Sequence, residues 1–444
     1  MNTEDKTAFA GSRASGNGLR PMPARWLHVA LSAVGLVGWL TFILACVGGP
    51  AWSPDSSKLL FAWYDSASGR YEVATYDRGS GKSRIIFQHR SPTEDLDHFN
   101  VMPAWENDGK RAIVAMNTGD SETDCTLFLI PIRPNTPPEA YDLGKKTTCW
   151  DAASMPQIGS RVYTGGDDGM NWIDLSTGET GSKSIEGGTG FLASHNGELV
   201  YLRDVSRPVN DPNNNDAKED GLEFGRVTLS DDPEVRPTFR VWTSNIPDVD
   251  LNDIAPGAWE PGGSRIVMVG PGKATDKILV LDENKGLVQT LTPEFDGVKQ
   301  YRLGNLVWSR DGETLFASAI TKGQGDKAYD YSLAEIPLTG APSRLTRIAS
   351  FHLKKTENQP ADQAQGDQAQ APLAQAEQSD LSEFDHGGMY LSMAISLSPD
   401  GMTIAATPAN MDQDSFDAPD HALFLVDMRR ETRNVIRIPF PREE

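Results

Sequence analysis

From residue 50 onward the chain repeats one arrangement of apolar and polar positions. Short apolar runs, many of them alternating, are broken by clusters of Pro, Asp, Asn and Gly, which is the pattern of strands joined by tight turns. Residues 50–61 read PAWSPDSSKLLF, 103–114 PAWENDGKRAIV, 257–268 GAWEPGGSRIVM, 306–316 LVWSRDGETLF and 395–405 ISLSPDGMTIA. In each, an apolar strand end leads through Trp or Leu into a polar turn and out into an alternating strand. Degenerate copies stand at 155–163, MPQIGSRVY, and at 191–202, FLASHNGELVYL. Pro presets φ at the first corner of such a turn, Asp or Asn caps it, and Gly takes the position with φ > 0.

Further strand-like runs follow each turn: YEVATYD and SRIIFQH after the first copy, TLFLIPI after the second, KILVLD and LVQTLTP after the fifth, ALFLVDM and NVIRIPF after the last. Four short strands per repeat are the signature of a propeller blade, with the Trp as an apolar plate between neighbouring sheets. Aligning Trp52, Trp105, Pro156, Ala193, Trp259, Trp308 and Leu397 gives spacings of 53, 51, 37, 66, 49 and 89 residues. The chain therefore predicts an all-β fold, a β-propeller of seven blades over residues 50–444; the degenerate third and fourth copies leave six or eight as alternatives. The last copy holds all its strands, so the ring is expected to close by packing of first against last blade, without strand exchange.

The W-S-P-D-G motif followed by an apolar strand resembles the TolB-type propeller repeat, found also in the propellers of prolyl oligopeptidase-class peptidases. WSPD at Trp52–Asp55, WSRDG at Trp308–Gly312 and LSPDG at Leu397–Gly401 carry the likeness. It implies a propeller and is nearly silent on function. TolB itself has an α/β domain before its propeller; here an apolar segment precedes instead, so TolB's own function is not implied.

That segment, Trp26 to Val47, runs 22 residues without a formal charge apart from His28 and is long enough to cross a bilayer. Lys6, Arg13, Arg20 and Arg25 precede it, whereas Lys58 is the first basic residue beyond it. The bias predicts a cytoplasmic tail, residues 1–25, a membrane anchor, 26–47, and a propeller outside, held hard against the bilayer. Ile43-Leu44-Ala45-Cys46 resembles a bacterial lipobox, which makes Cys46 a candidate for lipidation; simple signal cleavage is the third reading, and all three place the propeller outside the cytoplasm. Residues 355–380, rich in Gln, Ala and Asp, are expected to be a disordered insertion between the sixth and seventh blades.

Charge then narrows the partners. Residues 50–444 carry 37 basic and 60 acidic side chains, a balance of −23, which argues against a nucleic-acid surface and favours basic or neutral partners. Several motifs are decoys. GSGKS at Gly79–Ser83 lacks the first Gly of a phosphate loop, and SRDGETLF at Ser309–Phe316 has its Gly one residue early for a sialidase Asp-box. In the insert 207–221, Asp211, Asn213 and Asn215 have calcium-loop spacing, but Asp216 stands where Gly is needed. There is no G-x-S-x-G, H-E-x-x-H or C-x-x-C, and no cofactor is expected. Cys125 and Cys149 form a candidate disulfide outside the cytoplasm, with two buried free thiols as the alternative.

Loops entering the innermost strands ring one mouth of a propeller, so polar residues just before each repeat converge there. These are Asp97 and His98, Trp150 and Asp151, Asp250, Asn252 and Asp253, Tyr301 and Arg302, and Asp385 and His386. Two Asp-His pairs suit a divalent metal or acid–base chemistry; equally, they cap strands and solvate the mouth. Two functions follow. One is a binding or scaffolding module of the cell envelope, with a protein or peptide partner; the other is a hydrolase or lyase working through the Asp-His residues.

Overall fold

The computed structural model describes residues 49–65, 68–90, 101–118, 125–133, 137–142, 155–166, 169–184, 191–195, 198–208, 218–228, 238–244, 258–270, 275–323, 328–353, 393–408, 416–417, 422–429 and 432–441. All belong to one compact unit, residues 40–444. No helix among the described residues is long and apolar enough to cross a membrane. The tail 1–25, the apolar segment 26–47 and the stretch 355–380 lie outside the described residues.

The described strands form seven sheets, which we number as blades 1–7 in chain order. Blade 1 shows the plan: Ala51–Trp52, Lys58–Asp65, Arg70–Asp77 and Lys82–Arg90 pair antiparallel in sequence order, from the inside outward. Blades 2, 3 and 4 begin with Val101–Trp105, Gln157–Ile158 and Phe191–His195 and repeat it. In blade 5 an isolated bridge from Trp259 to Ile266 takes the place of the inner strand, followed by Arg265–Gly270, Lys277–Asp282 and Gly286–Leu291. Blade 6 runs through Tyr301–Trp308, Thr314–Lys322, Ala328–Pro337 and Arg344–Leu353, and blade 7 through Met393–Leu397, Thr403–Pro408, Ala422–Asp427 and Asn434–Pro439. A short strand from within blade 7, Phe416–Asp417, pairs with the outer edge of blade 6 at Leu353 and His352. The fold is an all-β propeller, and each of the seven sequence copies opens one of the seven described blades.

One expectation needs correction. The strand after each turn was expected to alternate, yet Ala112–Met116, Ile266–Val269 and Leu315–Thr321 are continuously buried. The second strand of a blade is covered on both faces by its neighbours, so period two disappears, as in any sheet packed on both sides. Alternation and exposure return at the rim, in Lys82–Arg90 and Asn434–Pro439.

Successive blades share apolar cores. Leu60, Tyr71 and Val73 of blade 1 pack on Trp105, Val114 and Phe128 of blade 2. Ile113, Leu127 and Leu129 then meet Val162 and Ile173 of blade 3, and Tyr163 and Met170 meet Leu199 and Tyr201 of blade 4. Arg226 of blade 4 pairs with Glu283 of blade 5 at 2.9 Å. Val267 and Val280 face Trp308 and Leu315 of blade 6, and Tyr331 and Leu333 face Ile404 and Phe424 of blade 7. The ring closes where Trp52, Leu59 and Phe61 pack on Ala405, Leu423 and Leu425. Among the described residues no strand of blade 7 comes from the start of the chain, so closure there is by side-chain packing and side-chain hydrogen bonds, as expected from the complete last repeat.

Three of the anchor tryptophans tie their blade to the one before it. Trp105 Nε1 donates to Ala51 O at 2.7 Å, Trp308 Nε1 to Ala258 O at 2.6 Å, and Trp52 Nε1 to Ser396 O at 3.2 Å. In all three the acceptor immediately precedes the previous blade's anchor. Blade 3 has no Trp there; Gln157 Nε2 donates to Trp105 O instead, and Gln157 Oε1 accepts from Asn107 N. An amide thus makes an interblade bond in place of the indole, one residue further along, to the anchor's own carbonyl.

Candidate functional site

Each inner strand runs from an entry end, where the chain arrives in the blade, to a turn end that bears the repeat motif. The hairpin between third and fourth strands returns to the same turn end.

At the entry end the structure describes two of the residues singled out above. Tyr301 is 1% exposed, packs edge-on against Phe295 at 4.9 Å and donates its hydroxyl to Pro293 O at 2.5 Å. Burial pushes its pKa up to about 12. Arg302 pairs with buried Asp276 at 3.2 Å, and Asp276 Oδ2 also accepts from Leu303 N at 2.6 Å. Tyr301 therefore belongs to the core between blades 5 and 6 and Arg302 to a structural ion pair, which corrects the expectation that both serve a ligand in the mouth. Asp97, His98, Trp150, Asp151, Asp250, Asn252, Asp253, Asp385 and His386 lie outside the described residues. Among the described residues no group of three His, Cys, Asp or Glu stands close enough to hold a metal ion.

Cys125, at the start of the third strand of blade 2, is fully buried and disulfide-bonded. The expected partner Cys149 and the lipidation candidate Cys46 lie outside the described residues.

The turn end is built from two interchangeable networks. In the first, Ser53, Ser309 and Ser398 donate Oγ to Asp55, Asp311 and Asp400 at 2.6 Å. The same serine oxygens accept from Lys58, Thr314 and Thr403 N at 2.9 Å. Each Asp also caps the backbone N–H two residues on. Hydrogen bonds from Ser53 and Ser57 hold the Asp55 carboxyl down at about 2.

In the second network Ser gives way to Glu, and an Arg appears five residues later. Arg111 Nε and Nη2 clasp Glu106 at 2.8 and 2.7 Å; Arg265 clasps Glu260 in the same two-pronged way. Each guanidinium also reaches the next blade, Arg111 donating to Leu175 O and Arg265 to Gly312 O, both at 3.2 Å. Arg265 lies 5.0 Å from the centre of the Trp308 ring, a cation–π stack inside the interblade gap. At the ring closure Arg78, from the outer hairpin of blade 1, plays a similar part. It pairs with Asp400 at 2.6 Å, donates to Thr403 Oγ1 at 2.9 Å and lies 5.8 Å from the Trp52 ring. Burial works to raise the Asp400 pKa, but hydrogen bonds from Ser398, Met402 N and Arg78 outweigh it and leave the carboxyl below its usual value.

The outer hairpins carry a further acid. Asp77, Asp174, Asp282 and Asp427 end their third strands and cap backbone N–H groups of the hairpin. Sequence reasoning missed this, although Asp77, Asp174 and Asp282 each stand four residues before a glycine with φ near +70°. It also missed the linkage of Glu with Arg at plus five and of Ser with Asp at plus two.

Between blades 6 and 7 the turn end opens into a cavity of about 460 Å³. Phe316, Leu397 and Met428 form apolar walls, and Asp311, Arg310 and the Gly401 turn stand at its polar edge. Arg433, which also lines it, is already held by Glu335 at 2.8 Å and by Met428 O at 2.6 Å.

No protein-family profile and no characterised sequence matches this chain. Solved structures do. A prolyl endopeptidase is similar at 12% identity and a TM-score of 0.48, over 94% of this chain and 54% of its own, so this chain spans about half its length. The C-terminal WD40 domain of Sif2 is similar at 11% and 0.43, over 87% of this chain and 96% of its own. TolB from Acinetobacter baumannii is similar at 12% and 0.37, over 87% and 67%. The prolyl endopeptidase and TolB are of the two kinds that the W-S-P-D-G repeat resembles.

Proposed function

We propose that this chain is a membrane-anchored, extracytoplasmic propeller of the cell envelope that binds a protein or peptide partner with its turn end. The observation that carries the reading is where the chain enters the ring. Gly49, just before the inner strand of blade 1, packs on the inner strand of blade 7, where a Cβ on it would lie 3.3 Å from Ala394 Cβ. An anchor at 26–47 would therefore leave from the entry end, and the turn end would face away from the bilayer.

Two further observations support the reading. The disulfide at Cys125 suits an oxidising compartment. The balance of −23 over residues 50–444 steers basic segments toward the molecule.

Site-specific photo-crosslinking in native membranes tests the proposal. A crosslinker at Arg310, on the turn end, should capture one discrete protein, and a crosslinker at Gly69, in an entry-side turn of blade 1, should not. The same product from both positions, or none from Arg310, would remove the turn end as a docking surface. Protease added outside the cell should cleave the propeller; full protection would overturn the topology.

A further inference from the structure

We propose that the cavity between blades 6 and 7 is a socket for an arginine side chain of the partner. This rests on the reading of the propeller as a protein-binding module.

The argument comes from the equivalent place one interface earlier. Between blades 5 and 6, the gap at the turn end is filled from inside the chain: Arg265, six residues after the anchor Trp259, stacks on the next anchor Trp308 and donates to Gly312 O, four residues beyond that anchor. The corresponding residues between blades 6 and 7 are Thr314, Leu397 and Gly401. The guanidinium and the indole are both replaced by smaller side chains, and the space they vacate is where the cavity lies, lined by Leu397 and Gly401.

What remains suits the missing group. Phe316 supplies an aromatic wall and Met428 a polarisable one. Asp311 Oδ1 is engaged by Ser309 and by Glu313 N, leaving its second oxygen at the cavity edge. No donor reaches Gly401 O among the described residues, whereas its counterpart Gly312 O receives Arg265. Arg433 is neutralised by Glu335 and Asp400 by Arg78, and the Arg310 side chain lies over the Gly401 turn, its Cβ 3.5 Å from where a Cβ on Gly401 would be. A planar guanidinium can stack on Phe316 while donating to Gly401 O and Asp311 together. An ammonium provides no face to stack, and an indole would leave the carboxylate without a charge partner.

The test uses the full-length protein and three blocked pentapeptides, Gly-Gly-X-Gly-Gly with X = Arg, Lys or Trp, titrated calorimetrically. The Arg peptide should bind at least about fivefold more tightly than the other two, because stacking and a charge-assisted fork act together. Equal affinities, a preference for Trp or Lys, or no binding of the Arg peptide would each overturn the socket.

Rebuilding the sibling interface with Ser309→Glu, Thr314→Arg and Leu397→Trp should fill the cavity, raise Tm and abolish Arg-peptide binding; binding that survives a folded triple variant would refute the assignment. Asp311→Asn keeps the turn-capping oxygen and removes the charge. It should weaken the Arg peptide by roughly tenfold, the loss of one charge-assisted bond, and an unchanged affinity would refute the fork. Partner capture at Arg310 without any peptide preference would sink the socket and leave the docking end standing.

Discussion

Closure of the ring without strand exchange makes one side chain unusually important, and Arg78→Met measures it. The substitution keeps the aliphatic stem and removes three contacts between blades 1 and 7: the 2.6 Å pair with Asp400, the bond to Thr403 Oγ1 and the stack over Trp52. The side chains of Arg78 and Asp400 are 26% and 31% exposed, so the pair falls between a surface bridge and a desolvated one, worth about 1 kcal/mol after screening. The hydroxyl bond adds roughly 0.5–1 and the cation–π contact about 0.5 kcal/mol. Asp400 keeps its bonds from Ser398 and Met402 N, so it is not left bare. The expected loss is therefore about 2–2.5 kcal/mol by urea unfolding. Hydrogen exchange should quicken first in Ala51–Trp52 and Met393–Leu397. Arg429→Met is the control: its pair with Asp427 stays within one hairpin and Arg429 is 61% exposed, so the urea midpoint should barely move. If the two variants unfold alike, or exchange quickens evenly around the ring, closure does not depend on this contact.

Trp308→Phe should cost about 2–3 kcal/mol, roughly 1 for the bond to Ala258 O and the rest for the void beside Arg265, by thermal or urea melting; a cost under about 1 would mean the indole is a spacer only. Gly312→Ala should cost more than Gly340→Ala. Both have φ well above zero, about 1–2 kcal/mol for any Cβ, but at Gly312 the new Cβ would lie 2.8 Å from Glu260 Oε1, whereas nothing lies within 4 Å at Gly340. Equal unfolding midpoints would show that the Glu260–Arg265 clasp yields freely. Asp55 and Asp174 are held down at about 2 by hydrogen bonds, first from Ser53 and Ser176. Depressed carboxyls stabilise above their unfolded value of about 3.9 and lose that contribution as pH falls toward about 2. The urea midpoint should thus drop between pH 4 and 2, and a flat profile there would contradict the turn networks. Cys125→Ala should lower stability by about 2–5 kcal/mol, and reductant should do the same to the wild type; insensitivity to both would deny the bond a stabilising role.

Much of the fold is legible in the chain because its information is local. A turn that needs φ > 0, a Ser that bonds an Asp two residues on, and an anchor Trp before them recur at Trp52 and Trp308, and with Leu at Leu397, so the blade starts can be read directly. Blade 3 was readable only as a weak copy because Gln157 makes an interblade bond in the Trp's place with unrelated chemistry. The entry mouth was misjudged at Tyr301 and Arg302, since polarity in sequence does not reveal that a phenol bonds Pro293 O or that a guanidinium meets Asp276 twenty-six residues earlier.

The sequence by itself thus determined the strand-and-turn unit, which depends on residues within a few positions of one another, its recurrence along the chain, and the acidic balance, which is a plain sum of residues. Tertiary structure alone decided which arginine fills which gap, that Arg78 locks blade 1 to blade 7, and that the space beside Leu397 stays open. Those outcomes depend on side chains about 50 to more than 300 residues apart meeting across a sheet face, where size and charge must be complementary in three dimensions and no spacing along the chain records the match.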